Sequence, residues 1–112
     1  MKNINNNQTE SIQLWQFLLE LLTDRHSADL IRWIGTDGEF EFVQPDTVAK
    51  MWGSRKGYSN MTYASLSRAL RNYYSTNLLS KVNTRQYMYK FDFDLKEALG
   101  YSVQEIIKLT KI

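Results

Sequence analysis

Apolar residues recur at helical spacing near the start of the chain. Leu14, Phe17, Leu18 and Leu21 share one face, and Trp15, Leu19 and Leu22 widen it. The spacing predicts a first helix at the centre of the core, with Ser11 placed to cap it. Residues 1–10 are polar and without periodicity, which reads as a flexible tail. Ile31 to Ile34 and Phe40 to Phe42 have strand character on either side of Gly35-Thr36-Asp37-Gly38, a turn signal. Glu39-Phe40-Glu41-Phe42 alternates, so one face of that strand should be wet. Pro45 suits the first position of a second helix and Asp46 its first turn. Val48, Ala49 and Trp52 point inward there, Gly53 is expected to end the helix, and 54–60 to form a turn.

A third helix is expected over 61–76. A second hairpin follows, from 78–82 and 86–91, about Asn83-Thr84. Asp94 opens a short helix through Leu99. Ser102 and Glu105 form a capping-box pattern before a last helix over 103–110. Val103, Ile106, Ile107 and Thr110 make one stripe on that helix. So short a helix cannot stand alone in water, so the stripe is buried either on this domain or on a partner. The order gives an α+β class, three helices packed on a small four-stranded antiparallel sheet, plus short C-terminal helices. The chain divides into a tail (1–10), one domain (11–93) and a helical extension (94–112) that packs on it.

The third helix carries the candidate chemistry. Leu66, Leu70 and Tyr73 fall together as its buried stripe, with Arg68 and Arg71 about opposite them on the wheel. Each guanidinium fork can hold two acceptors, and O6 and N7 of guanine offer such a pair in the DNA major groove. The plainer reading is a solvated helix face with two ordinary surface arginines. Asn72 lies beside Arg68, and an asparagine can pair bidentately with adenine.

Composition narrows the classes. The 112 residues are 43% hydrophobic and 13% aromatic, which suits one folded domain. Net charge is +2 and the pI near 8.9, a weak nucleic-acid signal by itself. There is no cysteine, so disulfides and thiolate metal sites are excluded. No apolar run approaches the roughly 20 residues of a membrane span, and the first ten residues do not read as a signal peptide. An intracellular protein is expected. The lone His26, with no second histidine or ladder of carboxylates, gives no support for an enzyme, a small-molecule substrate, a metal or any other cofactor. Asp92 and Asp94 read as a strand end and a helix cap.

From Ile12 to Leu109 the chain resembles the ETS family of winged helix-turn-helix DNA-binding domains. The likeness runs through 12–22, Val48 to Gly53, Met61 to Tyr74, Tyr87 to Phe91, Asp94-Leu95 and Leu99 to Ser102. Gln44-Pro45, Leu66 to Leu70 and Lys81-Val82 look most like the subgroup of the GA-binding protein alpha subunit. The resemblance implies a transcription factor in the nucleus, with Arg68 and Arg71 reading the guanines of a GGA core in double-stranded DNA. It implies phosphate contacts from the Gln13 and Leu14 amides at the first helix's N-terminus, a position suited to anions. It also implies them from the Trp52 indole and from the hydroxyls of Tyr63, Tyr74 and Tyr87, the last on the wing strand. Arg55, Lys56, Lys81 and Arg85 would supply charge, and their plainer reading is a solvated face; Trp52 and Tyr74 also read as core.

Departures from the family pattern bear on affinity. Ser65 stands where the family usually has lysine, and Asn72 where it usually has tyrosine. Gly57 to Asn60 carry no cation, and the wing tip reads Thr84-Arg85-Gln86 instead of glycine-lysine-arginine. A rival reading follows: a protein-interaction module on the same fold, with weakened DNA binding. The subgroup also binds an ankyrin-repeat subunit, which Val103, Ile106 and Ile107 would face.

Overall fold

Helix α1 (Leu14–Leu22) forms where the apolar spacing predicts it and buries six of its nine residues. The structure is a computed structural model and describes residues 12–110; the 1–10 tail and the expected Ser11 cap lie outside them. The N-cap position falls on Gln13, whose N–H is accepted by the Gln16 side chain at 2.9 Å. Beyond α1, Asp24 caps a single 3-10 turn (Arg25–Ser27) that exposes His26. Its carboxylate accepts the His26 N–H and the Ser27 hydroxyl, and these bonds hold its pKa below the usual value.

Strands β1 (Ile31–Ile34) and β2 (Glu39–Phe42) make the first hairpin. β3 (Leu79–Lys81) and β4 (Met88–Phe91) make the second, in one antiparallel sheet of order β1-β2-β4-β3. Both strands of the second hairpin are shorter than expected, and Tyr87 sits just before β4 instead of on it. Phe40 and Phe42 point into the core while Glu39 and Glu41 face outward, as the alternation requires. Phe40 stacks on Phe91 at 4.8 Å and lies 6.1 Å from Tyr89. Leu18, Leu66 and Leu70, all fully buried, close the same core. Each such leucine contributes about 1.5–3 kcal/mol by leaving water.

Helix α2 (Pro45–Lys56) starts at Pro45 with Asp46 in its first turn, as read from sequence. It does not end at Gly53. It runs to Lys56 and closes on the left-handed Gly57, whose N–H and that of Tyr58 reach back to the Ser54 and Gly53 carbonyls. Gly53 has a different task. A Cβ there would lie 2.7 Å from Met61 Cβ and 2.8 Å from the Tyr58 carbonyl oxygen. Its absence lets the turn fold tightly over α2.

Helix α3 (Tyr63–Arg71) is shorter than the expected 61–76 at both ends. Thr62 caps it by accepting the Ser65 N–H, an N-cap that apolar spacing alone does not mark. After Arg71 the bonds tighten: Asn72, Tyr73 and Tyr74 donate to carbonyls three residues back. Asn77 turns left-handed (φ 58°), and Leu78 N–H then bonds the Tyr73 carbonyl. The helix is thereby wound down before β3. Helices α4 (Leu95–Leu99) and α5 (Val103–Thr110) complete the chain, α4 capped by Asp94 and α5 by the reciprocal Ser102–Glu105 pair. No helix among the described residues is long and apolar enough to cross a membrane.

Candidate nucleic-acid interface

Helix α3 sits with Leu66 and Leu70 fully buried and with Arg68, Arg71 and Asn72 exposed. The two-sided pattern follows from the 3.6-residue period. Arg68 Nη2 donates to Ser65 Oγ at 3.2 Å, so its fork already leans along the helix. Among the described residues neither arginine forms an ion pair. Asn72 is the C-cap, where the helical course still holds (φ −65°). Tyr73 departs from the expected stripe: it is only half-buried, and its hydroxyl accepts the Trp15 N–H at 3.3 Å. Burial pushes its pKa up, while the Trp15 and Leu14 amides pull it back.

That bond bears on the amino end of α1. The Gln13 amide is occupied by Gln16, and the Trp15 amide by Tyr73. The Leu14 side chain is buried, and its amide also faces the Tyr73 hydroxyl. The end is therefore satisfied from within before any phosphate arrives.

Trp52 serves the core first. It is buried, with its ring 5.2 Å from Phe17. Among the described residues its indole N–H has no hydrogen-bond partner and is not sealed from solvent, so it stays available as a donor. Lys56 lies over its ring at 5.5 Å and donates to the Ile12 carbonyl at 3.3 Å. Tyr63 is half-buried and shares a 2.7 Å hydrogen bond with the buried Tyr89 hydroxyl. Desolvation, reinforced by that bond, raises its pKa strongly, so it stays a neutral donor. Its backbone N–H donates to Asp46 at 3.3 Å, tying the start of α2 to the start of α3. Tyr87 packs edge-on against Tyr63 at 5.1 Å, and Tyr74 is half-buried with its pKa raised by burial.

The other cations have partners. Arg55 holds Glu20 with both Nη atoms, at 2.9 and 3.1 Å, which raises its pKa. Lys81 bends back into the wing. Its Nζ donates to the carbonyls of Val82, Arg85 and Met88 and lies 5.2 Å from the Tyr89 ring, and desolvation lowers its pKa. Arg85 pairs with Glu41 at 3.3 Å. Sequence reasoning missed Glu20, Glu41, Tyr89 and Asp46 as partners. The alternation at 39–42 marked Glu41 as outward, but only the strand pairing brings Arg32 and Arg85 to it.

At the far end, Val103 and Ile106 are buried within this domain and Ile107 packs on its core. This corrects the expectation that Val103 and Ile106 present a partner surface, because the domain itself covers them. Among the described residues no group of three or more metal-ligating side chains gathers.

The Ets-domain sequence model matches residues 11–92. Over 98 residues, 88% of this chain, the sequence is 52% identical to the GA-binding protein alpha chain of Mus musculus and of Homo sapiens. It is 58% identical over 82 residues to the transcriptional regulator ERG homolog of Lytechinus variegatus and to the Friend leukemia integration 1 transcription factor of Homo sapiens, 73% of this chain in both cases. The match spans 22% of the GA-binding relatives, 47% of the ERG homolog and 18% of the last. With a four-stranded antiparallel sheet beneath a helix-turn-helix and more than two thirds of its length matched, the chain belongs to the Ets-domain family of DNA-binding transcription-factor domains.

Proposed function

We propose that this domain binds double-stranded DNA at GGA-core sites, with α3 in the major groove, as the DNA-reading part of a transcription factor in the nucleus. Ets-domain proteins are transcription factors and not enzymes. The observation that carries the reading is the pair Arg68 and Arg71, exposed on the face opposite the buried leucines and free of carboxylate partners among the described residues. A guanidinium fork can take guanine O6 and N7 in one plane, and Arg68 gives up only its Ser65 hydroxyl bond to do so. Asn72, one residue on, is offered to the neighbouring adenine. Trp52, Tyr63, Tyr74 and Tyr87 supply neutral phosphate donors around that centre. Lys56 and Arg85 set the register on the backbone.

An electrophoretic shift tests this. A GGA-containing duplex should be retained at concentrations where the same duplex with a scrambled core is not. Equal weak binding to both would favour the interaction-module reading. For an ankyrin-repeat subunit, the reading keeps the C-terminal region but moves the contact to its exposed residues, Tyr101 in the bend between the two helices and Leu109 on α5. Leu109→Asp should then melt normally and fail to recruit that subunit to a DNA complex. Retained recruitment would remove these helices from the contact.

A further inference from the structure

Glu41 is the outward residue of β2 that faces two arginines from two other elements. Arg32, its cross-strand partner on β1, reaches its Oε1 at 3.3 Å; Arg85, from the wing tip, reaches its Oε2 at 3.3 Å. The carboxylate side chain is 15% exposed, against 55% and 51% for the arginines. It is therefore a half-sheltered anion with one cation on each oxygen, and the wing-tip cation is the more consequential of the two. Arg85 stands in the segment that the proposed function sets on the phosphate backbone. Lys81, from the same hairpin, is turned inward onto carbonyls.

We propose that Glu41 sets the DNA affinity of this domain by competing with phosphate for Arg85. The inference rests on the wing-phosphate reading above. A phosphate approaching the wing meets a guanidinium already shared with a carboxylate. That competition opposes binding and does not depend on base sequence. Glu41 is thus a residue that lowers affinity while leaving base preference to α3.

Glu41→Gln keeps the shape and removes the charge. Affinity is measured by titration on a GGA duplex and on its scrambled counterpart over a salt series, with a thermal melt as the check on folding. The expected result is tighter binding to both duplexes by about two- to fivefold, the scale of an exposed ion pair, with an unchanged ratio between them. The slope of log K against log salt should steepen by up to about 0.9, one further phosphate neutralised. Arg85→Gln supplies the second arm: it should weaken wild-type binding, and in its background Glu41→Gln should give no gain. Unchanged or weaker binding by Glu41→Gln overturns the proposal, since Glu41 would then be idle or would present Arg85 to the DNA. A gain that persists without Arg85 overturns it too, because Arg32 or general repulsion would carry the effect. If Arg85→Gln costs nothing, the wing-phosphate reading itself fails. Loss of GGA preference in the wild type would instead strike the reading of α3.

Discussion

The outer face of α3 and the cations around it handle positive charge in opposite ways. Arg68 and Arg71 form no ion pair with a carboxylate among the described residues, and Arg68 donates only to the Ser65 hydroxyl there. Arg55 is clamped by Glu20, Arg85 by Glu41, and Lys81 is caged by three carbonyls. The central arginines therefore face no carboxylate, while the peripheral cations are paired with carboxylates or turned onto carbonyls. In the proposed reading, base selectivity and backbone affinity rest on different parts of the surface, and this tethering holds the second down. This agrees with a net charge of only +2.

The comparison breaks most severely if the floor under α3 is removed. Leu70→Ala deletes a fully buried side chain, and the cavity should cost about 2–5 kcal/mol of stability, read in a denaturant melt. Binding to GGA and scrambled duplexes should then fall together, in step with the folded fraction. Gly53→Ala acts on the same geometry through the turn. Its Cβ would press on Met61 and the Tyr58 carbonyl, and overpacking of this kind costs about 1–3 kcal/mol, visible as a lowered melting point. A normal melt for that variant would mean that the turn can relax.

Arg68→Lys and Arg71→Lys sharpen the contrast by keeping the charge and removing the fork. Each should lose about 1–3 kcal/mol of discrimination between matched and mismatched cores, with binding to the scrambled duplex little changed. Retained discrimination in both would separate these residues from base reading. A smaller effect is expected at the periphery. Glu20→Gln breaks the Arg55 pair and should cost no more than about 1 kcal/mol of stability, because both partners are partly exposed.

The smallest effect is expected at the cap of α5. The pKa of Glu105 is held down by the Ser102 N–H first and by Lys96 next. A lowered folded-state pKa means that its contribution is present above the unfolded value and is lost as pH falls through the folded one. The melting point of the wild type should therefore drop more than that of Glu105→Gln on acidification. Parallel curves would show that the cap gives no pH-dependent stability.

Most of the architecture was legible because it follows periodicity and punctuation. The apolar stripe of α1, the alternation at 39–42, Pro45 and the Ser102–Glu105 box each fix an element by local physics alone. The ends of helices were less legible. Gly53 looks like a terminator until its contact with Met61 is known, and the tightened turns after Arg71 depend on Asn77 adopting a left-handed backbone. In the candidate site, the exposed arginines could be read from the wheel. The tethering of Arg55, Lys81 and Arg85 could not, because each partner lies on another segment brought near only by the fold, or by the wing's own turn. The same limit applied to Tyr63, whose hydroxyl meets that of Tyr89 from β4. It applied also to the Tyr73 hydroxyl on the first turn of α1.

The most direct test of this division is a pair of salt titrations on the wild-type domain, one with a GGA duplex and one with its core scrambled. The account predicts two parallel lines of log K against log salt, whose common slope reports the phosphates neutralised and whose constant offset reports base reading by α3. Coincident lines, or an offset that shrinks to nothing as salt rises, would contradict it, because selectivity would then be absent or carried by charge alone.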